Sequence, residues 1–187
     1  MKPFYKYAGI AASIILIAFG IGATVTGVSG RAEVRDTIAQ EQIVGSPDMA
    51  KSIAGKPIET GAQAKAFAAG MRKHTLAATG GQVYAEMGRY LTADGTPTDD
   101  EQAAAIDKQT GEPVANSARD LWITSTALTT ALNTSFFAEN VANFAIVMGI
   151  ALLLTGIGFL VLMLRLPVGI AQRVRTSDAG APVSARA

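Results

Sequence analysis

The sequence predicts an all-α membrane protein in which two transmembrane helices enclose an extracytoplasmic helical domain. Two uncharged stretches carry this prediction, one from Tyr7 to Gly30 and the other from Asn140 to Leu164. Each exceeds the roughly 20 apolar residues with which a helix crosses a bilayer core about 30 Å thick. The segment between them, residues 31–139, is long enough for one small domain, and much of it has apolar residues at helical spacing.

The distribution of charge predicts the orientation of the chain. Residues 1–6 carry Lys2 and Lys6, and residues 165–187 carry four arginines against one aspartate. Residues 31–139 carry ten Lys and Arg against fourteen Asp and Glu, a net charge of −4. Because basic short flanks stay on the cytoplasmic side and long loops cross largely regardless of charge, both termini are expected in the cytoplasm of a plasma-membrane protein. The basic tail is expected to be disordered.

The first uncharged stretch has a second interpretation as a cleavable signal peptide. Lys2 and Lys6 form a basic start, and Val28-Ser29-Gly30 is a tolerable small-residue cleavage site. Secretory apolar cores are usually about 7–15 residues long, which is shorter than this stretch. We therefore prefer a retained membrane anchor.

Local signals divide the central segment into helices and turns. The first helix is expected to continue from Arg31 for about three turns. A second helical segment runs from about Thr60 to Leu91, with a kink or break at Gly80-Gly81, because each glycine costs about 1 kcal/mol in a helix. The run Thr98-Asp-Asp-Glu101 has the form of a capping box and predicts a short helix to about Asp107.

The last helix is predicted to be long. Asn116 suits its N-cap. No breaker lies between Ser117 and the second uncharged stretch, so the helix is expected to run unbroken into the span.

Small residues recur along both predicted spans and indicate faces where helices approach closely in lipid. An alternative is that small residues are simply common in membrane helices. The candidate helix-packing positions are Ala18, Gly22 and Thr26 in the first span, and Ala145, Gly149 and Gly156 in the second.

Polar residues near the outer ends of the spans need partners at that depth. Asn140 and Asn143 begin the second span, at about the level of Thr24, Thr26 and Ser29 in the first. Hydrogen bonds between the helices are the preferred interpretation, and a polar access site for a small molecule is the alternative.

The supply of chemically active side chains is small. The chain has no cysteine, which excludes disulfides, thiolate metal sites and a cysteine nucleophile. Its single histidine, His74, follows Phe67 and Met71 on one helical stripe and is interpreted as structural. The alternative is a proton-responsive site, since histidine titrates near neutral pH. Together with Trp122, it also marks the candidate pocket of a sensor domain.

The remaining motifs predict neither a metal nor a cofactor. Asp99-Asp100-Glu101 is interpreted as acidic charge at a helix start, because it lacks the ligand spacing of a calcium loop. No Gly-x-Ser-x-Gly elbow and no glycine-rich phosphate loop in a soluble segment occurs. The overall charge of +1 gives no indication of nucleic-acid binding.

Three stretches carry a family resemblance: residues 41–49 (EQIVGSPDM), 69–84 (AGMRKHTLAATGGQVY) and 126–140 (TALTTALNTSFFAEN). Over nearly the whole chain the sequence resembles a family of uncharacterised actinobacterial two-pass membrane proteins, often labelled automatically as aromatic ring-opening dioxygenases. The label implies a non-haem iron site, typically held by two histidines and a carboxylate. With one histidine, this chain lacks that ligand set within one subunit, so the activity would need ligands shared between subunits.

The function predicted from the sequence is non-enzymatic. We expect an accessory, assembly or scaffold component of the cell envelope that contacts membrane lipid and either a membrane-protein partner or further copies of itself. The iron-dependent dioxygenase and a lipid or small-molecule sensor are the two alternatives.

Overall fold

The computed structural model describes residues 3–165, and the predicted disordered tail lies outside them, apart from Arg165. Helix accounts for 68 % of the described residues. Three helices dominate: α1 (Pro3–Gln40), α2 (Gly61–Ala78) and α3 (Ser117–Arg165). The predicted extension of the first helix and the unbroken last helix are both confirmed. The predicted spans 7–30 and 140–164 lie within α1 and α3, and their membrane boundaries stay predictions.

The chain divides into two units that are described separately. The span unit contains residues 3–29 and 142–165 among those described. The helical domain contains Gly30–Val141.

Both long helices are long and apolar enough to cross a membrane. Only 11 % of the most apolar window of each is buried. A core helix of a soluble protein would be mostly buried, whereas these helices expose large side chains such as Phe19, Phe144 and Leu154. Their length, composition and exposure therefore suit membrane insertion.

The two helices of the span unit meet along residues spaced by seven. Ser13, Gly20 and Gly27 of α1 are buried, as are Ala142, Gly149 and Gly156 of α3. A Cβ placed on Gly20 would lie 2.7 Å from the Gly149 carbonyl oxygen, and one on Gly149 would lie 2.8 Å from the Gly20 oxygen. No side chain fits between the backbones here, so glycine permits the close contact.

The predicted packing positions lie on different sides of the two helices. Gly149 and Gly156 lie in the contact, but a Cβ on Gly22 would have no atom within 4 Å. Gly22 is two residues from Gly20 and therefore points about 200° away around the helix. Ala18 and Thr26, spaced four residues from Gly22, are exposed with it, and Ala145 is half-buried.

The core of the helical domain joins all three helices and the loop after α1. Its buried apolar residues are Ile38 of α1, Ile53 and Ile58 of the loop, Ala64 and Ala68 of α2, and Leu132 of α3. The loop is fixed by a hydrogen bond from the Ile58 N–H to the Ile43 carbonyl, 2.9 Å long. Helix α2 ends before Gly80 and Gly81, whose φ angles of +64° and +83° confirm the predicted break. The continuation of this helix to Leu91 is wrong, because a 3-10 turn (Tyr84–Glu86) and a strand that begins at Tyr90 take its place.

Between α2 and α3 the chain forms a small lobe, in which a two-stranded ladder departs from the all-α prediction. Strand β1 (Tyr90–Leu91) pairs antiparallel with β2 (Pro97–Thr98). Asn116 then caps α3, as predicted, by accepting a hydrogen bond from the Ala118 N–H at 3.1 Å.

The helix predicted from Thr98 to Asp107 is wrong. Thr98 belongs to β2, and only one 3-10 turn, Glu101–Ala103, follows. Asp100, not Thr98, caps this turn by accepting from the Gln102 N–H at 2.9 Å. The Ala105 N–H donates to the Leu91 carbonyl at 2.8 Å, so pairing with the ladder ends the turn.

Two glycine substitutions test the contact in the span unit. Gly149→Leu should lower stability in detergent by about 1–3 kcal/mol, because the new side chain would collide with backbone atoms. Gly22→Leu, on the exposed side of α1, should leave the thermal midpoint nearly unchanged. Equal losses of stability in the two variants would contradict the contact between α1 and α3 along residues spaced by seven.

Candidate functional site

A buried carboxylate connects all three helices of the helical domain. Glu139 of α3 is 5 % exposed. Its Oε1 accepts a hydrogen bond from Arg35 Nε at 2.6 Å and lies 3.5 Å from Arg31 Nε. Its Oε2 accepts from the Gly61 N–H at 2.6 Å. We call these four residues the Glu139 cluster.

Each member of the Glu139 cluster is placed by local structure. Arg31 and Arg35 are four residues apart and therefore share one face of α1. Gly61 is the first residue of α2, where backbone N–H groups lack helical partners and attract a negative charge. Thr60 completes this helix start as the N-cap of a capping box with Gln63. Glu139 thus meets two guanidinium groups and a helix N-terminus.

Glycine is required at position 61 by space. A Cβ there would lie 2.8 Å from the Phe136 Cα and 2.9 Å from Glu139 Oε2. The start of α2 therefore rests directly on the backbone of α3, and any side chain would separate the N–H from the carboxylate.

The surroundings of Glu139 act on its pKa in opposite directions. Burial raises the pKa of the carboxyl group, but the Arg35 hydrogen bond, the Gly61 N–H and the charges of Arg35 and Arg31 outweigh burial. The pKa is therefore lowered from the usual value of 4.5. Glu139 is ionised at neutral pH and has both oxygens occupied, which suits a structural link more than proton transfer.

The predicted pocket near Trp122 is too small for a ligand. Trp122 is buried, and Arg72 of α2 lies over its ring, 5.3 Å from the centroid. Thr75 and Ser125 share a buried hydrogen bond of 2.6 Å beside it. The cavity at this point measures about 10 Å³, space for one water at most.

His74 lies on the surface and not in that pocket. Its side chain is 44 % exposed, and its Nε2 is 2.6 Å from Asp48 Oδ2. The buried face of α2 runs instead through Gly61, Ala64, Ala68 and Thr75, to one side of the predicted stripe. Within residues 3–165, no three His, Cys, Asp or Glu side chains form a group able to hold a metal.

The two predicted asparagines are not held in the predicted way. Asn140 is exposed and donates from Nδ2 to the Phe136 carbonyl of its own helix at 2.8 Å. Thr24 likewise donates to the Gly20 carbonyl of its own helix at 2.8 Å. Asn143 is half-buried. Asn140 and Thr24 thus each donate to the preceding turn of their own helix.

The structure does bring four predicted packing residues together, in an open groove of the span unit. The groove measures about 540 Å³ and is largely apolar. Its lining consists of Ala18, Phe19, Gly22, Ala23, Thr26 and Ala145.

The sequence interpretation missed the Glu139 cluster. Arg31 and Glu139 served there only as the charged limits of the two uncharged stretches. Because the two stretches have similar lengths and lie in antiparallel helices, Arg31, which follows the first stretch, and Glu139, which precedes the second, come to one level. The opposite charges of Arg31 and Glu139 were therefore the signal available in the sequence. No sequence signal pointed to Gly61.

Comparison with protein-family models, with curated proteins and with solved structures gives no match for this chain.

Gly61→Ala should destabilise the helical domain by about 1–3 kcal/mol, although alanine is ordinarily the better helix former. Gly70→Ala in the same helix is the matched control, since its Cβ would meet only flexible Met49 side-chain atoms at 3.1–3.2 Å. Denaturant unfolding of both variants measures the difference. A Gly61→Ala protein as stable as Gly70→Ala would contradict the close contact between α2 and α3.

The pH dependence of stability should report on Glu139. Because its folded pKa is lowered, its ionised form contributes stability that is complete above about pH 4.5 and is lost as the pH falls through the lowered pKa. Glu139→Gln should therefore be less stable than wild type by roughly 1–3 kcal/mol at neutral pH, because hydrogen bonds to a charged group are lost. The difference should shrink below pH 4.5.

Denaturant unfolding of wild type and Glu139→Gln at about five pH values between pH 3 and pH 8 measures this difference in stability. The pKa of Asp94 is also lowered, through hydrogen bonds from Thr92 and Thr96. Because Asp94 is present in both proteins, its contribution cancels in the stability difference. A stability difference that stays constant across this range would mean that the charge of Glu139 contributes nothing.

Proposed function

We propose that this chain is a non-enzymatic, two-pass membrane protein that acts as an accessory, assembly or scaffold component of the cell envelope. The observation that supports this proposal is that the buried carboxylate of Glu139 links parts of the protein to one another. Among the described residues, Glu139 is the buried charged residue, and both its oxygens bind groups of the protein itself. Glu139 therefore serves as an internal link between helices and has no oxygen left for a substrate.

The proposed topology has residues 31–139 outside the cell and both termini in the cytoplasm. The basic flanks support it, as does the net negative charge of the segment between the spans. A retained first span is supported by the buried contacts of Gly20 and Gly27. Cleavage after Gly30 would cut within α1 and would leave Gly149 and Gly156 exposed.

A lipid-binding role is the second candidate, because the groove of the span unit is apolar and open. Its volume of about 540 Å³ falls within the range typical of small-molecule sites. The dioxygenase has less support, since one histidine cannot supply the two that such an iron site typically uses.

Single cysteines in this cysteine-free chain test the topology. Ala93→Cys, on the exposed turn after β1, should react with an impermeant maleimide in intact cells, and Lys2→Cys should react only after lysis. Labelling of position 2 but not of position 93 in intact cells would overturn the orientation.

Gentle detergent extraction from the native cell, followed by mass spectrometry, tests the role itself. The scaffold predicts co-purifying membrane protein or further copies of the chain. A stoichiometric lipid lost on Gly22→Leu substitution would favour the lipid-binding candidate. Stoichiometric iron together with oxygen uptake would overturn the non-enzymatic proposal.

A further inference from the structure

The Glu139 cluster carries more positive than negative charge. Arg31 and Arg35 bring two guanidinium groups to one carboxylate, and both Nε atoms approach the same oxygen, Oε1, at 3.5 Å and 2.6 Å. The other oxygen, Oε2, accepts from the Gly61 N–H. Glu139 therefore compensates one of two positive charges that lie next to each other. We call the side of α1 shared by Arg31 and Arg35 the arginine face.

The acidic residues nearest in the chain do not neutralise the arginine face. At about 100° per residue, Glu33 points about 180° away from this face around α1, and Asp36 points about 120° away. Both are exposed. Around the start of α2, Glu59 and Lys65 are also exposed and carry opposite charges. The excess positive charge of the Glu139 cluster therefore stays on the arginine face.

Both guanidinium groups are open enough to bind a further anion. The side chain of Arg31 is 42 % exposed and that of Arg35 is 39 % exposed. An arginine has five N–H donors. Within residues 3–165, Arg35 donates one hydrogen bond, through Nε, and Arg31 donates none. The Nη groups, with which arginine binds phosphate in a bidentate manner, are therefore available on the arginine face.

The proposed membrane insertion puts the arginine face at the level of the lipid headgroups. Arg31 directly follows the uncharged stretch that ends at Gly30, and Glu139 directly precedes the one that begins at Asn140. Arg35 lies one turn, about 6 Å, further along α1. The polar layer of a bilayer is roughly 5–8 Å thick on each side, so both guanidinium groups fall within it.

We infer that the arginine face binds the phosphate of an anionic phospholipid in the outer leaflet, with Arg31 and Arg35 donating to its unesterified oxygens. This inference rests on the proposed membrane insertion and topology. The single negative charge of a phosphodiester matches the excess positive charge of the Glu139 cluster. A headgroup that also carries an ammonium group is less suited, because its positive charge would lie beside two guanidinium groups. Glu139 holds both arginines in place for this contact.

The affinity of the purified full-length chain for single lipids tests this inference. Native mass spectrometry in detergent would measure the binding of phosphatidylglycerol, which is anionic, and of phosphatidylcholine, which is zwitterionic. We expect the wild type to bind phosphatidylglycerol at least about tenfold more tightly than phosphatidylcholine. Equal affinity for the two lipids would overturn the inference, and this comparison requires no variant.

Arg31→Gln should lower the affinity for phosphatidylglycerol about tenfold, because one charge-assisted contact is lost. Arg31 is replaced because Arg35 makes the 2.6 Å hydrogen bond to Glu139. Arg89→Gln is the matched control: Arg89 is 67 % exposed and lies 3.8 Å from Asp99, outside the Glu139 cluster. Unchanged affinity in Arg31→Gln, or equal losses in the two variants, would overturn the inference.

Three further outcomes would overturn parts of this account. A thermal stabilisation by inorganic phosphate equal to that by phosphatidylglycerol would exclude the lipid headgroup as the specific ligand. An affinity for phosphatidylglycerol that falls in Gly22→Leu but not in Arg31→Gln would place the lipid in the apolar groove of the span unit instead. Recovery of the chain in the soluble fraction without detergent would overturn the membrane proposal itself, whereas equal lipid affinities in membrane-extracted protein overturn this inference alone.

Discussion

The helical domain depends on the compensation of one buried negative charge. A carboxylate removed from water is costly unless it is paired and hydrogen-bonded. Glu139 meets that requirement through Arg35, Arg31 and the Gly61 N–H, which belong to α1 and to the first turn of α2. One side chain of α3 therefore bonds to both of the other helices. Ile38, Ala64 and Leu132, one from each helix, belong to the apolar core of the same domain.

The second constraint is the absence of side chains where helices touch. Gly61 lets the start of α2 reach the backbone of α3, and Gly20 and Gly149 do the same within the span unit. At these glycines the helix backbones touch directly, so no ligand fits between them there. The open groove along Ala18, Gly22 and Thr26 lies away from the close contacts. We therefore propose that this protein acts through its outer surfaces.

The sequence predicted the helices well because their signals are local. Uncharged stretches, the N-cap at Asn116 and the breaks at Gly80 and Gly81 depend on nearby residues alone. The prediction for Thr98–Asp107 was wrong because pairing with β1 and the chain after it outweighed a local capping signal. The sequence could not identify which small residues of the spans lie in the contact between α1 and α3, because small residues recur at several spacings and only the partner helix selects one of them.

The candidate site was harder to predict than the fold. Glu139 and Arg35 are 104 residues apart, and neither stands in a motif. His74 was placed on the Phe67–Met71 stripe, but the buried face of α2 lies to one side of that stripe, and His74 is exposed beside Asp48. The pocket expected at Trp122 is filled by the packing of Arg72, Thr75 and Ser125. The sequence thus identified the rare residue types, whereas tertiary packing determines which side chains contact one another.

A double-mutant cycle between Arg35 and Glu139 tests the central claim most directly. Stability in denaturant would be measured for wild type, Arg35→Gln, Glu139→Gln and the double variant, with Arg72→Gln replacing Arg35→Gln in a control cycle. If Glu139 links the helices as described, the coupling energy with Arg35 is about 1–3 kcal/mol and that with Arg72 is near zero. Effects of Arg35→Gln and Glu139→Gln that add within about 0.5 kcal/mol would contradict the account.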